Sequence, residues 1–276
     1  PAVMLLFIPQ FENKVYNMLD TTMLGVLIKD KSETGYYEQS QKIIRVLLTI
    51  VTSLGTVMVP RIANMFATGE KNKIKIYMKK SFNFVFLLSF PIIFGLIAIS
   101  KEFVPLFFGQ GYDKVVILMN ILSPIVLLMG LSNILGTQYL LPSKKQKEFT
   151  ISVTIGIVVN FILNYVLIIK LESIGACIAT ILSQVAVVAV QGYHVGKELN
   201  LREIVKLSYK YIFASILMFV CCMLVRLVLT GIMCVTLQIL IGVAVYFGVL
   251  IILKDEYIYT FVAKMKEMIV KKLNRN

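Results

Sequence analysis

Tryptophan is absent from this 276-residue chain, histidine occurs once, and there are only four cysteines. The lone His194 has no metal-binding partner in sequence, and Cys177, Cys221, Cys222 and Cys234 all lie inside apolar runs without CxxC spacing. Neither a metal site nor a disulfide framework is indicated. Charge is also scarce, at 16% of residues against 58% hydrophobic. Soluble domains carry about 25% charged residues, so that class is excluded. Acidic side chains are the rarer sign, 15 against 28 cations, for a net charge of +13. In a soluble chain that balance would suggest nucleic acid. Here the cations serve as topology signals and anchors for anionic lipid headgroups, and no nucleic-acid partner is expected.

Other absences narrow the field further. The chain begins Pro1-Ala2 rather than with Met, with no basic leader or cleavage site. The expectation is a fragment whose N-terminal part is missing. No GxSxG, HExxH or phosphate-loop pattern occurs, and Gly109-Gln110-Gly111 is expected to form a turn. The loops opposite the cation-rich ones are short and lack a carboxylate pair for acid–base work. The chain is therefore expected not to be an enzyme; a glycan polymerase or acyltransferase is the weaker alternative.

What is present is a series of long apolar runs. A bilayer core about 30 Å thick needs roughly 20 apolar residues per helix. Runs of that length cover about residues 2–28, 40–60, 82–100, 115–141, 149–169, 174–195, 211–229 and 234–253. The expected fold is an all-α membrane protein of about eight transmembrane helices. Lysine and arginine crowd into every second gap: six between 60 and 81, three between 143 and 148, four between 196 and 211, and six beyond 253. The alternate gaps hold Lys29, Lys31, Lys101, Lys114, Lys170 and, at a span end, Arg226. Cationic loops stay in the cytoplasm, which places both termini there. Tyr36, Tyr37 and Tyr112 are assigned to the outer interface, and Tyr77, Tyr209, Tyr257 and Tyr259 to the inner one.

Apolar positions recur through Tyr257–Leu273 with lysines between them, predicting a helix lying in the headgroup layer. The segment from Glu70 to Lys80 is assigned a shorter version of the same role. A division near Asn200 separates a six-helix unit, residues 1–198, from two further spans and the basic tail, residues 199–276.

The first run departs from the lipid rule. Glu12, Asn13, Lys14, Asn17 and Asp20 interrupt it, and a charge at the bilayer centre costs about 3 kcal/mol on insertion scales. Glu12, Asn13, Asn17 and Asp20 project within one arc of a helix, from which Lys14 points away. Two readings stay open for the acids. They pair with Lys42 and Arg45, spaced i,i+3 on the second run, or they line a wet cavity. Asn160 and Asn164 share a helix face and suit interhelical hydrogen bonding or substrate contact.

The stretches Leu19-Asp20-Thr21-Thr22-Met23-Leu24-Gly25 and Gly35-Tyr36-Tyr37-Glu38-Gln39-Ser40-Gln41-Lys42-Ile43 resemble the seventh and eighth helices of bacterial polysaccharide flippases, within the multidrug/oligosaccharidyl-lipid/polysaccharide exporter superfamily. Val59-Pro60-Arg61, Gly136 to Pro142, Asn160 to Asn164 and Gly175 to Thr180 continue the similarity in the family's order. The resemblance implies the C-terminal lobe of a two-lobed exporter plus two accessory helices, with the N-terminal lobe of the same protein as partner. It implies alternating access and a polyprenyl-pyrophosphate-linked oligosaccharide as cargo in a bacterial plasma membrane. Coupling to Na⁺ or H⁺, with no other cofactor, is implied as well. Asp20, Lys42 and Arg45, with Glu12, Lys14, Asn160 and Asn164, are the substrate-binding candidates. A drug/cation antiporter of the same superfamily is the nearest alternative.

Overall fold

The structure, a computed structural model, describes residues 18–255 and 257–259. Among them there is no strand. In chain order the helices are α1 (Met18–Leu27), α2 (Lys31–Ala67), α3 (Lys71–Phe108), α4 (Asp113–Leu122) and α5 (Ile125–Ser132). A π-helical turn, Asn133–Leu140, extends α5; α6 (Gln146–Leu199), α7 (Leu201–Val228) and α8 (Gly231–Ile252) follow. Six of these runs are long and apolar enough to cross a membrane, α4 through the π-turn forming one of them.

The longest run, α6, has 54 residues. A straight helix of that length would reach about 80 Å, far beyond the roughly 30 Å of a bilayer core. It breaks at Glu172, whose φ of 54° and ψ of −131° reverse the chain. The reversal is tight: a β-carbon on Gly175 would lie 2.3 Å from the Leu167 carbonyl oxygen, so only glycine fits there. Two passes result, as the sequence predicts. With α6 divided, the described residues hold seven passes of the expected eight; α1, ten residues long, is the described part of the first expected run. The protein is a multi-pass membrane protein.

Burial in the first half of α6 shows what solvent these helices face. Ser152, Gly156, Asn160, Asn164 and Ile168, spaced four apart, point inward. Val158, Phe161, Ile162, Tyr165, Val166 and Ile169 point outward. Polar groups inside and large apolar ones outside is the arrangement lipid imposes, because interhelical hydrogen bonds have no competing water there.

Local chemistry ends the helices. Asp30 caps α2 by accepting from the Ser32 amide at 2.9 Å. That backbone bond, with the Ser32 side chain, holds the Asp30 carboxyl below its ordinary range. At the other end Gly69, with φ of 72°, lets the Glu70 amide reach the Met65 carbonyl at 2.9 Å. Pro91 inside α3 has no N–H for the Leu87 carbonyl; the Tyr246 hydroxyl of α8 donates to that oxygen at 2.8 Å. This fastens α8 to α3 where α3 is weakest. Gly109 and Gly111, with φ of 90° and 92°, form the expected turn.

Two expectations are corrected. The segment after Glu70 is no separate surface helix: Lys71 begins α3, and Ile74 and Met78 are buried against the bundle. Helices overrun their apolar windows because hydrogen bonding and packing continue past the lipid edge. Tyr37 is not interfacial but wholly buried. Tyr36, by contrast, packs edge-on against Tyr112 at 5.9 Å. Of the predicted tail helix, residues 257–259 are helical, capped by Asp255 accepting from the Tyr257 and Ile258 amides; the remainder lies outside the described residues.

Candidate functional site

Asp20 on α1 is completely buried among three other helical segments. Its Oδ1 accepts from Asn160 Nδ2 at 3.1 Å and Asn164 Nδ2 at 2.6 Å. Its Oδ2 accepts from the Tyr37 hydroxyl at 2.5 Å and the Thr180 hydroxyl at 2.8 Å. Thr180 also faces its own Ala176 carbonyl at 2.8 Å, so its one hydrogen divides between the two. Such a carboxylate has acceptor capacity filled by neutral donors from α2 and both arms of α6.

The reversal at Glu172 makes this possible. Asn164 and Thr180 are 16 positions apart and would stand about 24 Å apart on a straight helix. Folded back, they meet at one carboxylate. The i,i+4 spacing of Asn160 and Asn164 stacks their amides, and Asn164 Nδ2 also donates to Asn160 Oδ1 at 3.1 Å. Asn164 Oδ1 is buried without a hydrogen-bond partner.

A second polar layer joins the same helices one turn along α2. Glu33 pairs with Lys114 of α4 at 2.5 Å and accepts from the Ser173 hydroxyl at 2.6 Å. Lys114 also pairs with Glu172 at 2.7 Å, tying the reversal to α4. At the opposite end, Glu198 accepts from Tyr139 at 2.6 Å and pairs with Lys145.

Beside the Asp20 cluster lies a cavity of about 280 Å³. Gln41, Ile44, Arg45, Thr52, Thr180 and Gln184 are among its walls. Gln41 and Thr180 belong to both features. Gln41 Nε2 donates to the Tyr37 hydroxyl at 2.8 Å, and Tyr37 in turn donates to Asp20. Two hydrogen bonds thus connect the cavity wall to the buried carboxylate.

The sequence candidates divide. Asp20, Asn160 and Asn164 come together. Arg45 lines the cavity but does not pair with Asp20; among the described residues no cation does. Pairing of Asp20 with Lys42 or Arg45 is therefore corrected: both side chains leave α2 on a different face from Tyr37, which points at Asp20. Lys42 is exposed, 3.5 Å from Gln39 Oε1. Glu12 and Lys14 lie outside the described residues. Tyr37, Thr180, Gln41 and Gln184 were not singled out by sequence as site residues. No cluster of three His, Cys, Asp or Glu side chains occurs among the described residues.

Residues 3–117 match a family model described as polysaccharide biosynthesis protein. The chain is 25% identical over 169 residues to the probable low-salt glycan biosynthesis flippase Agl15 of Haloferax volcanii, covering 61% of this chain and 35% of that protein. It is 25% identical over 186 residues to the lipid II flippase MurJ of Bacillus subtilis, covering 62% and 34%. It is 26% identical over 180 residues to the putative O-antigen transporter of Escherichia coli, covering 64% and 42%. A solved structure, lipid II flippase MurJ in an inward closed conformation, superposes with a TM-score of 0.77. It shares 19% identity over 91% of this chain and 53% of that one, which shows a common fold. The chain spans about a third to two-fifths of the length of these curated relatives.

Proposed function

We propose that this chain, a relative of the polysaccharide flippases, forms one lobe of a transporter that moves a lipid-linked oligosaccharide across a bacterial plasma membrane by alternating access. Arg45 would receive the pyrophosphate, since guanidinium forms charge-assisted, bidentate hydrogen bonds with phosphate oxygens. The Asp20 cluster would bind the coupling Na⁺ or H⁺. The observation carrying this reading is a fully buried carboxylate, held only by neutral donors and joined to an arginine-containing cavity directly through Thr180 and through the Tyr37–Gln41 chain.

The cluster's chemistry suits a hard cation. Asp20, Thr180 and the two asparagine side chains supply oxygen donors, the ligand type such ions take. The unpartnered Asn164 Oδ1 is an acceptor already present without a donor. An ion at Asp20 competes with the Tyr37 hydroxyl for Oδ2. Tyr37 is then free to turn, and with it the Gln41 amide on the cavity wall. Cation binding and the shape of the cavity thus share one hydrogen-bond chain. The excess of cations at one end supports a cytoplasmic C-terminus.

The arginine in the wall disfavours an organic cation as cargo, and with it the drug-antiporter alternative. In the intact protein, Arg45→Ala should cut surface-glycan export at least tenfold, while Lys42→Ala has a smaller effect. Export unchanged by Arg45→Ala would remove the cavity from the transport path.

A further inference from the structure

The elbow between α6 and α7 holds a second cavity, about 840 Å³, outside the site described above. Its lining includes Gly192, His194, Gly196, Lys197, Leu201 and Arg202. Asn200, in the left-handed region at φ 50° and ψ 50°, turns the chain there. Leu201 folds back over Gly192 and Gly196; β-carbons on those glycines would already touch its Cδ1, at 3.8 and 3.7 Å. The cavity floor is therefore apolar and shallow, with cations at its rim.

Among the described residues, neither Lys197 nor Arg202 forms an ion pair. The neighbouring acid, Glu198, is taken by Lys145 and Tyr139. Glu203 is the one acid in the lining, leaving an excess of positive charge. Tyr193 also lines the cavity, with 84% of its surface exposed, as interfacial tyrosines do. Below the cavity on α6, exposed Leu182, Val185 and Ala189 continue the face of Gly192 and Gly196 at helical spacing, toward the middle of the span. A cationic rim that opens directly onto a lipid-facing apolar track distinguishes this place from a surface suited to a soluble anion.

We infer that the α6–α7 elbow binds an anionic phospholipid, its phosphate between Lys197 and Arg202 and an acyl chain along Leu182–Val185–Ala189. His194 adds a hydrogen bond from its ring to the headgroup, and Tyr193 seats the glycerol level. The inference does not depend on the transport reading, since none of these residues belongs to the Asp20 cluster or the Arg45 cavity.

The test uses the full chain in phosphatidylcholine nanodiscs doped with phosphatidylglycerol, counting retained lipid by native mass spectrometry. Each Lys or Arg near a membrane contributes roughly a fivefold affinity for anionic lipid, so Lys197→Gln with Arg202→Gln should weaken retention about 30-fold. Lys79→Gln with Lys80→Gln removes the same charge at the same end and should change retention little. Matching thermal unfolding of all three proteins in phosphatidylcholine establishes that the variants fold. Equal losses in the two double variants would mean bulk attraction and overturn the site, as would unchanged retention. Inorganic phosphate displacing the lipid at equal concentration would also overturn it, by making the elbow an anion site with no use for the acyl chain.

Discussion

Tyr37→Phe isolates the hydroxyl that links the cavity wall to the buried carboxylate. The substitution keeps the ring and its packing and deletes one oxygen. Three contacts go: the 2.5 Å donation to Asp20 Oδ2, the 2.8 Å acceptance from Gln41 Nε2 and a longer 3.2 Å contact with the Thr180 hydroxyl. A bond to a charged group is worth about 1.5–3 kcal/mol, and neutral interhelical bonds in membranes average about 0.6 kcal/mol. Gln41 borders the cavity and recovers part of its loss there. The expected cost is about 2–3 kcal/mol, measured by reversible unfolding in detergent or by steric trapping. A double-mutant cycle with Asp20→Asn should return coupling above about 1 kcal/mol, because the two side chains touch. Destabilisation below about 0.5 kcal/mol, or additivity of the two substitutions, would refute the reasoning that the hydroxyl anchors Asp20.

Two more predictions concern the frame. Lys114→Met leaves Glu33, only 4% exposed, without its cation. Breaking a buried pair costs about 3–5 kcal/mol; with Lys114 itself 27% exposed, about 2 kcal/mol is expected in unfolding assays, partly recovered by adding Glu33→Gln. Gly175→Ala drives a methyl into the Leu167 carbonyl and should cost more than about 4 kcal/mol, seen as loss of folded protein in membranes. A second variant, Gly25→Ala, meets nothing within 4 Å and should be tolerated.

Asp20, Asn160 and Asn164 were legible in the sequence because each is costly to expose to lipid, so an inward orientation follows. The break in α6 was legible too, since Lys170 and Glu172 fall between two apolar runs of spanning length. Tyr37 was not. Tyrosine suits a membrane interface as well as a core, and its proximity to a span end favoured the interface. Thr180 gives still less signal: its hydroxyl is satisfied by the carbonyl one turn back, so it sits in an apolar helix without penalty. Of the two readings left open for Asp20, pairing with Lys42 and Arg45 failed for a geometric reason. Spacing along α2 says which of its residues share a face, but only the packing of α1 and α6 decides which face meets Asp20. The ion pairs among Glu33, Lys114 and Glu172 join three distant segments and could not be inferred from spacing.

The most direct test of the coupling proposal uses the intact protein in proteoliposomes, following translocation of a fluorescent polyprenyl-pyrophosphate oligosaccharide. Translocation is timed with and without an imposed Na⁺ or proton gradient, for the parent protein and for Asp20→Asn. The gradient should accelerate the parent at least several-fold and leave Asp20→Asn at its gradient-free rate. Equal acceleration of both would contradict the assignment of cation coupling to the buried Asp20 cluster.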